Sequence, residues 1–235
     1  LTLEGAGHTV LGSTGYGINL SNRTGVEVRN LTVRGFASGV YLRLASACTV
    51  RQVTATGNGN GIFLDQGANG NTVADCAAND NSFYGLYLMR ADDNILSGNA
   101  ASNNRIYGIY LNMANRVVLS GNTADRNTYD GIRLYASQSC TLTANSAASN
   151  TEYGLRLDGC TGGSLSGNTL AGNGYNFRLD GQSDAQYDHP IDATNTVDGK
   201  PIIYVSGVSG QTFDSASNAG TLYLVNCSDI TLRGL

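Results

Sequence analysis

The sequence predicts an all-β chain: a right-handed, single-stranded parallel β-helix (a β-solenoid) of about ten coils of 21–24 residues. Three observations predict it. A motif is written repeatedly: YGLYLMRADDNILSGNAASNNR at 84–105, YGIYLNMANRVVLSGNTADRNT at 107–128 and YGLRLDGCTGGSLSGNTLAGNG at 153–174. Three columns keep one period. A glycine marker runs through Gly17, Gly39, Gly61, Gly85, Gly108, Gly131 and Gly154, with Asn176, Gly199 and Gly220 continuing it; an apolar column runs from Val28 to Leu165; an asparagine column falls at Asn58, Asn81, Asn104, Asn127, Asn150 and Asn173. Finally, the apolar residues alternate, as in Ile109-Tyr110-Leu111, so the period is that of strands.

Each coil reads in order. The strand after the marker points its first and third residues inward and its middle residue outward. A second short strand carries Val118 and Leu119, and a third carries Thr123 and Ala124. Glycine and asparagine separate them, as residues that tolerate left-handed backbone at sharp corners. One coil cannot bury its apolar row alone and must stack on its neighbours. The asparagine column is then a structural ladder, in which inward amides donate to one neighbour and accept from the other. Asn99, Asn122, Asn145 and Asn168 form a second ladder at the next corner. The chain reads as one domain over 1–235, with regular repeats over 1–186 and a less regular closing segment, 187–235, that re-enters the repeat.

Composition narrows function. Charged residues make up 14% of the chain and the net charge is −4, with no basic stripe for nucleic acid. No apolar run approaches the roughly 18–20 residues of a membrane span. The five cysteines, Cys48, Cys76, Cys140, Cys160 and Cys227, lack metal or disulfide spacing and read as small buried residues, with one free for an intermolecular bond. His8 and His189 lie roughly 40 Å apart by rung spacing and cannot share an ion. His189, in YDHPID, reads as a loop residue, and no metal or cofactor is expected.

The outward positions carry the candidate chemistry. Two residues after the marker they read Tyr41, Phe63, Tyr87, Tyr110, then Arg133, Arg156 and Arg178. The rings form a stripe that stacks on itself or offers a platform to a glycan or a protein. Tyr84, Tyr107, Tyr153 and Tyr175 form a further column whose direction the sequence leaves open. Asp158 and Asp180 fall on adjacent coils, about 5 Å apart at their origins, near the separation a retaining glycosidase uses. The bland reading pairs them with Arg156 and Arg178 across strands.

The opening LTLEGAGHTVLGSTGYGINLSNRTGVEVRNLTVRGFASGVYL, the central YGIYL…LSGNTA…N units and YDHPIDATNTVDGKPIIYVSG at 187–207 together resemble the NosD-type family, also called carbohydrate-binding and sugar-hydrolase β-helices. The resemblance implies a secreted, periplasmic or surface-displayed protein. The family includes copper-processing periplasmic proteins and polysaccharide-degrading envelope proteins, so fold transfers more safely than activity. The chain lacks the cluster of histidine and carboxylates that mannuronan epimerase β-helices place on this face.

The expected function is a structural and interaction module of the cell envelope, self-assembling into a sheath, filament or surface layer, with glycan contact through the outer ribbon. The alternatives are a glycoside hydrolase or lyase using Asp158 and Asp180, or a copper-maturation accessory protein. Expected partners are copies of itself, further repeats of a longer parent chain, and surface glycans. The first and last coils begin and stop in mid-pattern, so further coils or other chains are expected to cover them.

Overall fold

The computed structural model describes residues 1–234 and is built from strands and two short 3-10 turns, Asp184–Gln186 and Ser215–Ser217. The strands stack into a right-handed β-helix with three faces. The front sheet has eight parallel strands, from Tyr16–Asn19 to Tyr175–Asp180. The second face runs from Thr2–Glu4 to Ser164–Ser166. The third is built from single bridges, Ala77 to Ala100 to Thr123 to Ser146, and becomes continuous at Ser146–Ala148 and Thr169–Ala171.

Register follows the alternation. Ile109 pairs with Ile132, Tyr110 with Arg133 and Leu111 with Leu134. The inward members, Leu86, Leu88, Ile109, Leu111, Ile132 and Leu134, are at most 1% exposed and form the core. Each contributes about 1.5–3 kcal/mol by leaving water.

Both asparagine ladders are present and buried. Asn81 Nδ2 donates to Asn104 Oδ1 (3.1 Å), Asn104 Nδ2 to Asn127 Oδ1 (3.1 Å) and Asn127 Nδ2 to Asn150 Oδ1 (3.0 Å). The second ladder runs from Asn99 through Asn122 and Asn145 to Asn168 and ends on Asn195. The backbone detail differs from expectation. The left-handed residues are those just before the first ladder, Asp80, Asn103, Arg126 and Ser149, while the ladder asparagines themselves are not left-handed. An inward amide needs its own residue extended toward the core, so the corner is turned one position earlier.

The marker glycines are required for space. A Cβ at Gly108 would lie 2.7 Å from Asn127 Nδ2, and one at Gly131 would lie 2.6 Å from Asn150 Nδ2. The ladder amide of the following coil fills the room a side chain needs. The marker becomes Asn176 where the ladder stops: Asn173 Nδ2 donates to Asn176 Oδ1 (2.8 Å), and Asn176 Nδ2 donates to Asp198 Oδ2 (2.7 Å).

Cysteines substitute for ladder members. Cys76 precedes Asn99 in the second ladder, and its Sγ donates to Val50 O (3.5 Å) as Asn99 Nδ2 donates to Val73 O (2.9 Å). Cys140 occupies the column of a third, shorter ladder, Asn71 to Asn94, and donates to Ala114 O (3.4 Å). Burial pushes the thiol pKa up, to about 11 at Cys76 and about 12 at Cys140. All five cysteines are free; Cys227 is half-buried and the others are buried.

The closing segment breaks the period. Thr196–Val197 pairs antiparallel with the start of Lys200–Ser206, so Gly199 lies in a hairpin turn instead of continuing the marker series. Lys200–Ser206 then pairs in parallel with Thr221–Val225, with Ile202 opposite Thr221, a shorter coil than those before it. His189 lies in a loop, as expected, but is buried there, 3% exposed. Its Nδ1 accepts from Gly163 N (3.0 Å), the bond an asparagine oxygen makes higher in this column, and its Nε2 bonds Gln186 O (3.1 Å). Proline at 190 and the four surrounding polar residues hide this corner role from sequence.

Candidate functional site: the outer face of the front sheet

The outward residues of the front sheet divide into an aromatic half and a charged half. Phe63 stacks on Tyr87 (centroids 4.6 Å apart) and Tyr87 on Tyr110 (5.2 Å, 4° between planes). The further tyrosine column points outward beside them: Tyr84 stacks on Tyr107 at 5.7 Å, and Tyr107 meets Tyr110 edge-on at 5.1 Å. Partial burial among these rings raises the phenol pKa of Tyr84, Tyr87 and Tyr107, and takes Tyr110 to about 12. All four therefore stay neutral hydrogen-bonding groups at physiological pH. Phe83 (51% exposed) and Tyr129 (43% exposed) form a rim, one residue before the tyrosine column, that the sequence reading missed. The column Phe83, Ile106, Tyr129 was its available signal.

Tyr41 corrects an expectation. It stands in the aromatic row but is buried, stacked under Tyr16 at 3.9 Å with its hydroxyl donating to Asp65 Oδ2 (2.7 Å). The usable stripe begins at Phe63.

Arg133 marks the change to the charged half. Its guanidinium lies 5.2 Å from the Tyr107 ring centre and 5.9 Å from that of Tyr110. It donates to Tyr107 Oη (2.5 Å) and Asp158 Oδ2 (3.2 Å). Arg156 Nη2 bridges Asp158 Oδ2 (3.4 Å) and Asp180 Oδ2 (3.3 Å), and Arg178 Nε binds Asp180 Oδ2 (2.5 Å). Asp158 and Asp180 are in register on adjacent strands. Cross-strand pairing thus occupies one oxygen of each carboxylate.

Asp130 interrupts the tyrosine column between Tyr107 and Tyr153 and is fully buried. Its Oδ1 accepts from Tyr153 N (3.1 Å), while its Oδ2 has no hydrogen-bond partner among the described residues. Burial raises its pKa against the opposing pull of Tyr153 N–H, Arg133 and Arg156. Arg133 Nε and Arg156 Nε are likewise buried and unpaired.

A copper ion requires several soft or imidazole donors around one point. Among the described residues no group of three or more His, Cys, Asp or Glu converges. His8 is exposed on the first coil, His189 commits both nitrogens to the backbone, and the buried thiols donate to carbonyls. The donors among the described residues do not fit a copper site.

The fold is shared with several solved structures. The periplasmic alginate epimerase AlgG is 20% identical with a TM-score of 0.63, over 89% of this chain and 50% of its own. The A-module of the Azotobacter vinelandii mannuronan C-5 epimerase AlgE6 is 17% identical with a TM-score of 0.63, over 90% and 60%. The pectate lyase Pel9A is 20% identical with a TM-score of 0.55, over 74% and 54%. The chain thus spans about half the length of these structures. No curated protein matches its sequence. A family model described as "periplasmic copper-binding protein (NosD)" matches residues 3–207, a stretch that takes in every strand of the front sheet. The chain belongs to the NosD family of parallel β-helix proteins.

Proposed function

We propose that this chain is a structural β-solenoid of the cell envelope that holds a glycan against the aromatic half of its front sheet. One observation carries the reading: Tyr84, Tyr87, Tyr107 and Tyr110 form a fixed, half-buried array two columns wide, edged by the exposed rings of Phe83 and Tyr129. Self-stacking holds the rings at little further entropic cost on binding. Their faces offer apolar area to a sugar ring and their hydroxyls offer hydrogen bonds to its edge. The family's description as periplasmic supports the location, and structures of the same fold are named for alginate, mannuronan and pectate. The alternative of catalysis by Asp158 and Asp180 gains no support from their shared arginine, which makes them a cross-strand ion-pair network.

Tyr87→Ala and Tyr110→Ala are expected to weaken retention on immobilised glycans about tenfold each, an aromatic contact's worth of affinity. Affinity electrophoresis, with circular dichroism as the control for folding, reads the effect. Unchanged retention in both folded variants would remove the array from any binding role.

A further inference from the structure

We propose that the groove at the C-terminal end of the front sheet is a subsite for one uncharged, hydroxyl-rich sugar residue at the end of the bound glycan. The inference rests on the reading that the front sheet holds a glycan, and adds to it the charge class of the ligand and the point where its chain ends.

The groove has a volume of about 420 Å³. Its floor is a run of small residues at a turn that carries long side chains, Arg90 and Met113, on the two coils before it. The turns leaving six successive front strands carry a left-handed residue, and these read Leu44, Gly67, Arg90, Met113, Ala136 and Gly159. The column therefore loses its long side chains where the groove lies, beside Ala136, Gly159 and Gly181. The end wall is an insertion. The chain takes nine residues from Asp180 to His189, against five from Asp158 to Gly163 in the coil before, although His189 holds Gly163 in the regular corner contact. The extra length sends Gln182 and Gln186 over the rim. Gln186 Nε2 is tied down to Gly159 O (3.3 Å), and Gln186 Oε1 accepts from Gln182 N (2.6 Å). Tyr187 Oη accepts from Gly181 N (3.1 Å) and donates to Gly181 O (3.0 Å), which fixes the base of the insertion.

The polar groups facing this space are acceptors in need of donors. Asp158 and Asp180 line it, each half-buried. Arginines take Oδ2 of both, and Oδ1 of both makes no hydrogen bond among the described residues. Free carboxylate oxygens call for hydroxyl donors. Tyr135, 39% exposed, supplies a ring at one side, and the exposed Gln182 an amide at the other. The nearby cations stand outside the groove lining and are paired: Arg133 with Tyr107 and Asp158, Arg156 with both aspartates, and Arg178, still 43% exposed, with Asp180 and Tyr153. The unpaired Nε atoms of Arg133 and Arg156 are buried and out of reach of a ligand. The charged side chains that line the groove are Asp158 and Asp180, so a uronate seated in it would meet two carboxylates first, a like-charge contact that opposes binding. The groove therefore selects a neutral sugar. Asn112, on the strand of Tyr110, is followed in register by Tyr135, Asp158 and Asp180, so the groove begins one rung beyond the tyrosine array and ends three rungs, about 15 Å, beyond it. A short oligosaccharide spans that distance.

The test is calorimetric titration of the chain with cellohexaose and mannohexaose, and with oligomannuronate and oligogalacturonate of equal length. At least one neutral oligosaccharide is expected to bind, and the acidic ones at least about tenfold more weakly. Ala136→Leu fills the groove without backbone strain, because Leu44 already occupies the equivalent turn position at φ 51°, against 46° at Ala136. It is expected to weaken neutral binding about tenfold. Gln182→Ala, an exposed change that leaves the fold alone, is expected to weaken it several-fold. Wild-type affinity in both variants, with loss in Tyr87→Ala and Tyr110→Ala, would overturn the subsite and leave the aromatic platform standing. Tighter binding of the acidic oligomers would also overturn it. Binding of neither kind would overturn the glycan reading of the whole front sheet, and the subsite with it.

Discussion

The side chain and backbone N–H of Asn127 take part in five hydrogen bonds, with Asn104 on one side, Asn150 on the other and Ala101 O of the neighbouring coil. Asn127→Ala leaves the Asn104 N–H and amide buried and unpaired, and is expected to cost about 3–5 kcal/mol in urea unfolding. Asn127→Asp should cost at least as much, since a carboxylate cannot donate to Asn150 Oδ1 or Ala101 O. A loss below about 1 kcal/mol in both would mean that the ladder is incidental to stability. Asp130 is the opposite case, a buried polar residue that is poorly satisfied. Its raised pKa means that, above the ordinary aspartate value, the folded state holds a proton that the unfolded state has released. Its contribution to stability therefore falls as pH rises through that window. Asp130→Asn keeps the acceptor for Tyr153 N and removes the titration. The Tm of the variant relative to the parent is expected to rise as the pH increases above the ordinary aspartate value of about 4. A difference that is flat or falls with pH would contradict the assignment. The sequence shows Asp130 only as a gap in a tyrosine column; its burial comes from the rings and guanidinium groups of the adjoining coils.

At the scale of the element, each turn has its own rule. Gly108 and Gly121 both recur at the coil period, and sequence alone treats them alike. Gly108 has ordinary backbone and no room, with Asn127 Nδ2, Ala101 O and Gly131 O all within 2.7 Å of a built Cβ. Gly121 has left-handed backbone (φ 63°) and open space, and Ala144 stands at the equivalent turn with φ 54°. Gly108→Ala is expected to destabilise by about 3 kcal/mol or more through overpacking against backbone. Gly121→Ala should cost about 1 kcal/mol, the left-handed penalty alone. Chemical unfolding of the two variants measures the contrast, and equal losses would refute it. The alternation of the front strands, by comparison, was fully legible, because Ile109, Tyr110 and Leu111 state their own directions.

At the scale of the molecule, the closing segment finishes what the repeats leave open. It supplies Asn195 to the end of one ladder and Asp198 to Asn176 at the end of the other. Tyr223 accepts from Leu179 N (3.3 Å) on the last front strand, and its ring meets Phe177 edge-on. A chain ending at Gln186 is expected to melt at a lower temperature and to self-associate through the bared last coil, as seen by sedimentation velocity. A monomer with an unchanged Tm would show that the segment is dispensable.

The period, the inward and outward sides of the front strands after the marker, the two long ladders and the family were all written along the chain. All of these depend on residues one coil apart, and a solenoid stacks such residues directly. Packing in three dimensions covers Tyr41, turns Tyr84 and Tyr107 outward, puts His189 into a corner and sets Asp158 and Asp180 at the border of a groove. Those outcomes depend on burial by neighbouring rings, on an insertion between Asp180 and His189, and on a hairpin at Gly199 that changes the period. The insertion and the hairpin bring together residues whose spacing differs from the repeat, and burial within a column depends on side chains of neighbouring columns, so the pattern along the chain carried no record of these outcomes.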